Sequence, residues 1–373
     1  MKLLSKTLCA LALYFFIQKL PAQDVATVKS LPEATTTVTP AILATPAETA
    51  EENENKIKIS GFVDAYYQYS FNEQPLPTSF TETHNSITPG MANVVFTKEG
   101  KFGFKADLGV GPRAETANGY SGTTLALIKQ LYISYGLSEK VTFTLGNFST
   151  HVGYEVIDAP ANINYSTSYM FSNGPFFHTG LKADIALSEK FGLMVGIFDD
   201  TDAKIDVVSG KNYGGQFSYS NEKLSAYLNY VGGKVDDTDP ENEFFANQVD
   251  LTATYAVTDA LGLVLNTTMK SVKGDESPEA HWFGAALYAK YAFGEKFTLG
   301  LRGEYISDKD GLITDVRDNN ITSLTLSGNI HLGPITLIPE LRVDNAAKHS
   351  FLNAEDEPAR TSSSLIFAAV YQF

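Results

Sequence analysis

Opposite charges recur two positions apart inside otherwise apolar stretches of this 373-residue chain: Lys105/Asp107, Lys182/Asp184, Arg302/Glu304 and Glu340/Arg342. In an extended strand, positions i and i+2 project to one side, so each pair sets both signs of charge on a single face. That arrangement suits ion pairing or ion attraction along a wall. Catalytic signatures fail. Gly109-Val110-Gly111-Pro112-Arg113-Ala114 has the glycine spacing of a dinucleotide fingerprint. The fingerprint needs a following helix within a βαβ unit, and Pro112 with the polar stretch after it argues against one. Gly119-Tyr120-Ser121-Gly122-Thr123 is wrongly spaced for a nucleophile elbow. The six histidines (84, 151, 178, 281, 331 and 349) include no pair at metal-ligand spacing. Ser149 and His151 are too little for a hydrolase. No enzymatic activity, metal or cofactor is expected.

The segments that carry these charges alternate with period two. Phe297, Leu299, Leu301, Gly303 and Tyr305 share one face against Thr298, Gly300, Arg302, Glu304 and Ile306. The same pattern runs through Val249–Val257 and Leu324–Leu332. Such runs span about 9–12 residues, longer than the ~5–6 of an ordinary strand and close to the ~9–11 of a tilted strand crossing a bilayer. Short turns, such as 98–101, 138–140, 188–190, 221–223, 258–260, 294–296 and 333–334, alternate with long polar loops. The expected strands are 57–71, 91–97, 102–111, 125–136, 141–149, 177–187, 191–199, 211–220, 223–233, 245–257, 261–272, 281–293, 297–306, 321–332, 335–344 and 363–373. The fold class is therefore all-β: a transmembrane antiparallel β-barrel of about 16 strands, with short periplasmic turns and long extracellular loops.

Several details fit that class. Phe102, Phe143, Phe191, Tyr219, Tyr255, Tyr291, Phe293 and Phe297 cluster by the short turns, as an interfacial girdle would. A charge facing lipid costs ~2–4 kcal/mol at mid-membrane, so the charges belong inside. The lumen set is Lys58, Asp64, Lys105, Asp107, Lys182, Asp184, Asp250, Lys270, Lys290, Arg302, Glu304, Glu340, Arg342 and Asp344. Basic and acidic members roughly balance, so cross-strand ion pairs and weak selectivity, toward cations because of the acidic loops, are expected. The acidic loops themselves (199–202, 236–243, 308–315 and 355–357) lack the spacing of a defined calcium loop.

Met1 to Ala22 has the layout of a secretory signal peptide: Lys2 and Lys6, an apolar run from Leu8 to Ile17, then Leu20-Pro21-Ala22. Its removal would take away Cys9, the sole cysteine, along with three lysines, and move the formal charge from −15 to −18. Residues 23–55, rich in Thr, Pro, Ala and Glu, read as a disordered tail. The acidic balance argues against nucleic acid as a partner. A mean hydropathy of −0.09 is what alternating faces average to. Past the N-terminus there is no apolar run near the ~20 residues of a spanning helix. The domain organisation is then 1–22 signal peptide, 23–55 periplasmic tail and 56–373 barrel.

Gly61–Asn72 (GFVDAYYQYSFN) and Gly153–Gly180 (GYEVIDAPANINYSTSYMFSNGPFFHTG) resemble the OmpL-like β-barrel porin family of Gram-negative bacteria. The resemblance covers residues 56–373 and implies an outer-membrane porin, a channel for passive diffusion of small solutes. The residues themselves point the same way at 150–176, which is too long for a plain hairpin loop. As the third long loop it is expected to fold inward and narrow the pore, with Glu155, Asp158, Tyr165 and Tyr169 at the constriction. The aromatic last strand, ending at Phe373, fits recognition by the barrel-assembly machinery. Outer-membrane lipid and lipopolysaccharide, small solutes and a homotrimer complete the expected partners. The alternative is a non-conducting surface barrel whose acidic loops bind a partner or divalent cations.

Overall fold

The structure is a computed structural model describing residues 56–206, 210–235, 244–274 and 278–373. The expected signal peptide and tail, and the acidic stretch at 236–243, lie outside these residues. Sixteen strands close into one barrel in which every pairing is antiparallel. They are β1 (Lys58–Ser70), β2 (Ser86–Lys98), β3 (Phe102–Val110), β4 (Ile128–Ser138), β5 (Val141–Ser149), β6 (Phe177–Ala186), β7 (Phe191–Phe198) and β8 (Asn212–Ser220). The second half adds β9 (Leu224–Val235), β10 (Phe244–Ala256), β11 (Leu261–Gly274), β12 (Ala280–Ala292), β13 (Phe297–Asp308), β14 (Asn319–Leu332), β15 (Ile335–Ala346) and, after the two-residue β16 (Phe351–Leu352) and β17 (Pro358–Ala359), β18 (Thr361–Gln372). β18 pairs with β1 from Phe62↔Gln372 to Ser70↔Ser364 and seals the wall.

The period-two pattern sorts side chains as expected. Leu145, Leu287 and Leu324 on the outer face are 54%, 56% and 56% exposed, whereas Arg302, Thr325 and Arg342 on the inner face are 0% exposed. At the short-turn end, aromatic rings on the outer face meet in pairs: Phe102–Tyr135 at 5.2 Å, Phe191–Tyr219 at 5.1 Å and Tyr291–Phe293 at 4.6 Å. The tightest of these turns, Gly333-Pro334, depends on Gly333 at φ +66, a conformation that costs glycine little.

Two expectations need correction. β2 begins at Ser86, not at 91, because the strand continues through Pro89-Gly90 by way of a bulge between Val63 and Ala65 on its partner. The carboxylate of Asp64 fills the space where a side chain at Gly90 would lie and accepts the Met91 N–H at 2.8 Å. Pro112, read as an obstacle to a helix, instead starts one: α1 (Pro112–Asn118). Proline suits the first helical turn, where its missing N–H has no partner to lose. The next strand is antiparallel to β3, so no βαβ unit forms and the dinucleotide reading still fails.

Leu326 lies at the middle of β14 on the outer face. Leu326→Arg is expected to destabilise the barrel by ~2–4 kcal/mol, measured by urea titration in lipid vesicles.

A charged inner wall bonded to the third long loop

The connection from β5 to β6, residues 150–176 (L3), runs inside the barrel. A segment there has peptide groups that need partners, because burying an unpaired N–H or C=O costs ~1–3 kcal/mol each. The inner wall supplies them. Glu340 on β15 accepts the successive N–H groups of Tyr165 (2.6 Å) and Ser166 (3.0 Å). Glu304 on β13 does the same for Tyr169 (3.0 Å) and Met170 (2.9 Å) at the start of the short helix α2 (Tyr169–Ser172). Asp250 on β10 takes the Gly153 N–H and Asn266 on β11 that of Tyr154. Guanidinium groups serve the carbonyls: Arg302 reaches Ser166 O at 2.7 Å and Thr167 O at 3.3 Å, and Arg342 reaches Thr167 O at 2.8 Å.

Side chains of L3 return the interaction. Glu155 is 4% exposed and accepts from Arg302 Nη1 at 2.5 Å and from the Ser168 N–H at 2.7 Å. Tyr165 donates its hydroxyl to Asp64 on β1, and Tyr169 donates to Asp344 at 2.9 Å. Asp158 accepts from Lys129 on β4, and Lys129 also lies 2.7 Å from Asp107. Both oppositely charged partners of Lys129 thus come from elsewhere in the chain.

Two further loops at this end pack onto L3. The helix α1, in the loop 111–127 (L2), buries Arg113 between the rings of Phe80 and Tyr165, 4.8 and 4.9 Å away, with Asp64 at 4.0 Å. Leu76 and Phe80 of the loop 71–85 (L1) join Ala114 and Ala117 of α1, and Ile157, Ala159 and Tyr165 of L3, in one apolar cluster against β1, β15 and β18. Where L3 enters and leaves the wall, Phe198 stacks on His178 with ring centroids 4.7 Å apart and lies over Gly196 and Gly214, where any side chain would collide with it.

The four spaced charge pairs and the four constriction candidates therefore fall into groups. Glu155, Tyr165, Tyr169, Arg302, Glu304, Glu340 and Arg342 meet in one network. Asp158 and Asp107 meet at Lys129. Lys182 and Asp184 pair with each other at 2.9 Å on the barrel's other side. Lys105 has no carboxylate within 4 Å among the described residues. Arg302 and Glu304, and likewise Glu340 and Arg342, do not bond to each other but to L3, whereas Lys129 and Asp107 pair across β4 and β3. Arg113 and Lys129 were not foreseen. Lys129 lies inside together with Gln130 because a bulge opposite Asp107 breaks the alternation, which no residue count reveals. Ser149 is exposed, and His151 Nε2 faces the Tyr230 carbonyl at 2.9 Å.

Glu304→Ala would leave the Tyr169 and Met170 N–H groups unpaired, at ~1–3 kcal/mol each. Amide exchange at these two residues is expected to quicken, with the barrel strands unaffected. At the far end of L3, Asp202 in the loop 199–211 (L4) accepts the N–H groups of Phe176 and Phe177 at 2.7 and 2.9 Å. Burial pushes its carboxyl up to about 6, against the opposite pull of those amides and of Lys270 and Lys204. An acid raised above its unfolded value of 3.8 favours the fold most when protonated. Its contribution is complete below 3.8 and is lost as pH rises through about 6. Protection of the Phe176 and Phe177 amides, corrected for intrinsic rates, should therefore fall between pH 4 and 7, and Asp202→Asn should abolish the trend.

The fold has known counterparts. An anion-selective porin from Comamonas acidovorans aligns with a TM-score of 0.63 at 13% identity, over 85% of this chain and 99% of that one. The outer-membrane channel DcaP of Acinetobacter baumannii aligns at 0.60 and 13%, over 85% and 97%. The trimer form of OmpT, an outer-membrane protein of Vibrio cholerae, aligns at 0.57 and 9%, over 85% and 99%. At these identities the likeness is one of fold. No curated protein sequence matches. The family profile described as "Putative beta-barrel porin-2, OmpL-like" matches residues 56–373, the whole of the barrel. With its sixteen closed strands, its loop-filled bore and that match, the chain belongs to this OmpL-like β-barrel porin family.

Proposed function

We propose that the barrel sits in the outer membrane and conducts small hydrophilic solutes or ions passively through a water-filled bore that L3 narrows. The course of L3 carries this reading: its bonds reach β1, β4, β10, β11, β13, β14 and β15, so it crosses the bore rather than capping it. Glu155, Asp158, Tyr165 and Tyr169 then lie at the constriction. The apolar outer band and aromatic girdle suit contact with lipid and lipopolysaccharide, and the strand ending at Phe373 suits the assembly machinery. The trimeric neighbour favours a homotrimer.

Selectivity follows from charges that water reaches. Arg302 with Glu155, Arg342 with Asp344, Arg113 with Asp64, and Lys182 with Asp184 neutralise one another. The bore is therefore weakly selective, with the acidic loops inclining it toward cations. The dense packing around L3 favours a second reading, a surface barrel that does not conduct. Planar-bilayer recordings under a KCl gradient separate the two. The protein is expected to form channels with a reversal potential near zero, and deletion of residues 158–170 is expected to raise single-channel conductance several-fold. Unchanged conductance in the deletion would remove L3 from the constriction, and silence in both forms would favour the surface barrel.

A further inference from the structure

We propose that L1 is a lid that leaves its seat on the inner wall, and that opening it governs conduction. This rests on the porin reading above. In the structure L1 is seated over L3. The Ser79 N–H donates to Ser172 Oγ at 2.9 Å, and Thr167 Oγ1 donates to the Ser79 carbonyl at 2.9 Å. Thr78 Oγ1 accepts from Arg342 Nη1 at 2.9 Å. The Phe80 ring lies 5.7 Å from both Phe171 and Phe176.

Two independent features mark this seat. The first is the wall beneath it. Arg342, Ser364 and Ser70 are lateral neighbours across β15, β18 and β1, and Gln68 is the next inward residue on β1. All four are 0% exposed. Among the described residues, Arg342 Nη2, Ser364 Oγ, Ser70 Oγ and both polar atoms of the Gln68 amide have no hydrogen-bond partner, and neither does Thr81 Oγ1 in L1. A permanent interior bonds such groups or replaces them with apolar ones. The seat of L3 leaves scattered atoms unpaired, such as Arg302 Nε and Asn164 Oδ1, whereas under L1 they adjoin one another along the wall. A row of polar side chains left unpaired in one packing suits a wall that meets water in another.

The second feature is the backbone of L1. Glu73, Phe80 and Asn85, at its start, tip and end, have φ of +59, +78 and +47. The left-handed region is a marked outlier for a bulky residue such as phenylalanine. Strain of this kind persists only where surrounding contacts impose it, and it gathers at switching segments. Phe80, wedged under the Arg113 guanidinium, is imposed upon in this way, and lifting L1 would release it. The contacts of Asn72 with the Leu352 and Thr361 carbonyls hold the base of the loop, so that a lift of L1 would pivot there.

The barrel, residues 56–373, contains no cysteine, so single thiols report cleanly. Ser364→Cys, and in parallel Ser70→Cys, would be reconstituted in vesicles and exposed to a charged, membrane-impermeant methanethiosulfonate. Heat-modifiable migration would verify folding. Both thiols are expected to react and channel conductance to change as they do. Ser79→Cys with Ser172→Cys, oxidised to tie L1 to L3, is expected to conduct several-fold less than its reduced form, with recovery on adding reductant. Thiols that stay unmodified in a barrel that conducts normally would overturn the lid, as would equal conductance of the oxidised and reduced pair. A barrel silent in every form, the deletion of 158–170 included, would overturn the porin reading itself, and the thiol reaction would still decide whether L1 moves.

Discussion

Peptide groups that run through the inside of a barrel lie beyond the reach of any sheet ladder. The interior of this protein depends on that constraint. L3 exposes N–H and C=O groups in an enclosed space, and the wall answers with carboxylates for the former and guanidinium groups for the latter. Glu304 and Glu340 each hold two successive N–H groups, a fit that a carboxylate with two acceptor oxygens makes naturally. Once L3 is fixed, Arg113 has a ring and a carbonyl to settle against, and α1 and L1 have an apolar surface to cover. The wall's charges are thus primarily structural, and the composition of the lumen cannot be equated with the charge that a passing ion meets.

Much of the barrel could be read from the residues. Alternation over nine or more positions, as in Phe297–Ile306, leaves little freedom, since a slip by one would turn Arg302 and Glu304 toward lipid. The bounds of L3 were legible because Ser149 and Phe177 are the last and first residues of two strands flanking an overlong polar stretch. What failed was local irregularity. Pro89-Gly90 looks like a turn but lies within β2, because Asp64 on the neighbouring strand fills the space a side chain would need. Lys129 escaped because a bulge is a property of two strands together.

The partners of the site residues were hidden for a different reason. Arg302 and Glu304 stand two apart and read as a pair, yet Arg302 turns to Glu155, 147 positions away. Tyr169 finds Asp344 across 175 positions. Such choices depend on where a loop crosses the bore, and no spacing in the sequence carries that information. Residue type did carry part of it. Glu155, Tyr165 and Tyr169 are polar or amphipathic groups in a long loop, and each has found a bonding partner on the wall.

The seam between β1 and β18 bears on the order in which the protein assembles. Ser70 and Ser364 are neighbours there, and Tyr165 can bond Asp64 on β1 and Glu340 on β15 together only once the ring is complete. Hairpins between successive strands close short loops and form early, while contacts between distant positions pay a larger entropy of closure. The first strand must therefore wait, with its edge unpaired, until the last one arrives. The loops can settle into the bore only afterwards, since Asp64, Glu340 and Asp344 stand on either side of that seam. Filling the interior is a consequence of closing the wall, which makes a correctly packed bore a record that the whole chain has been threaded.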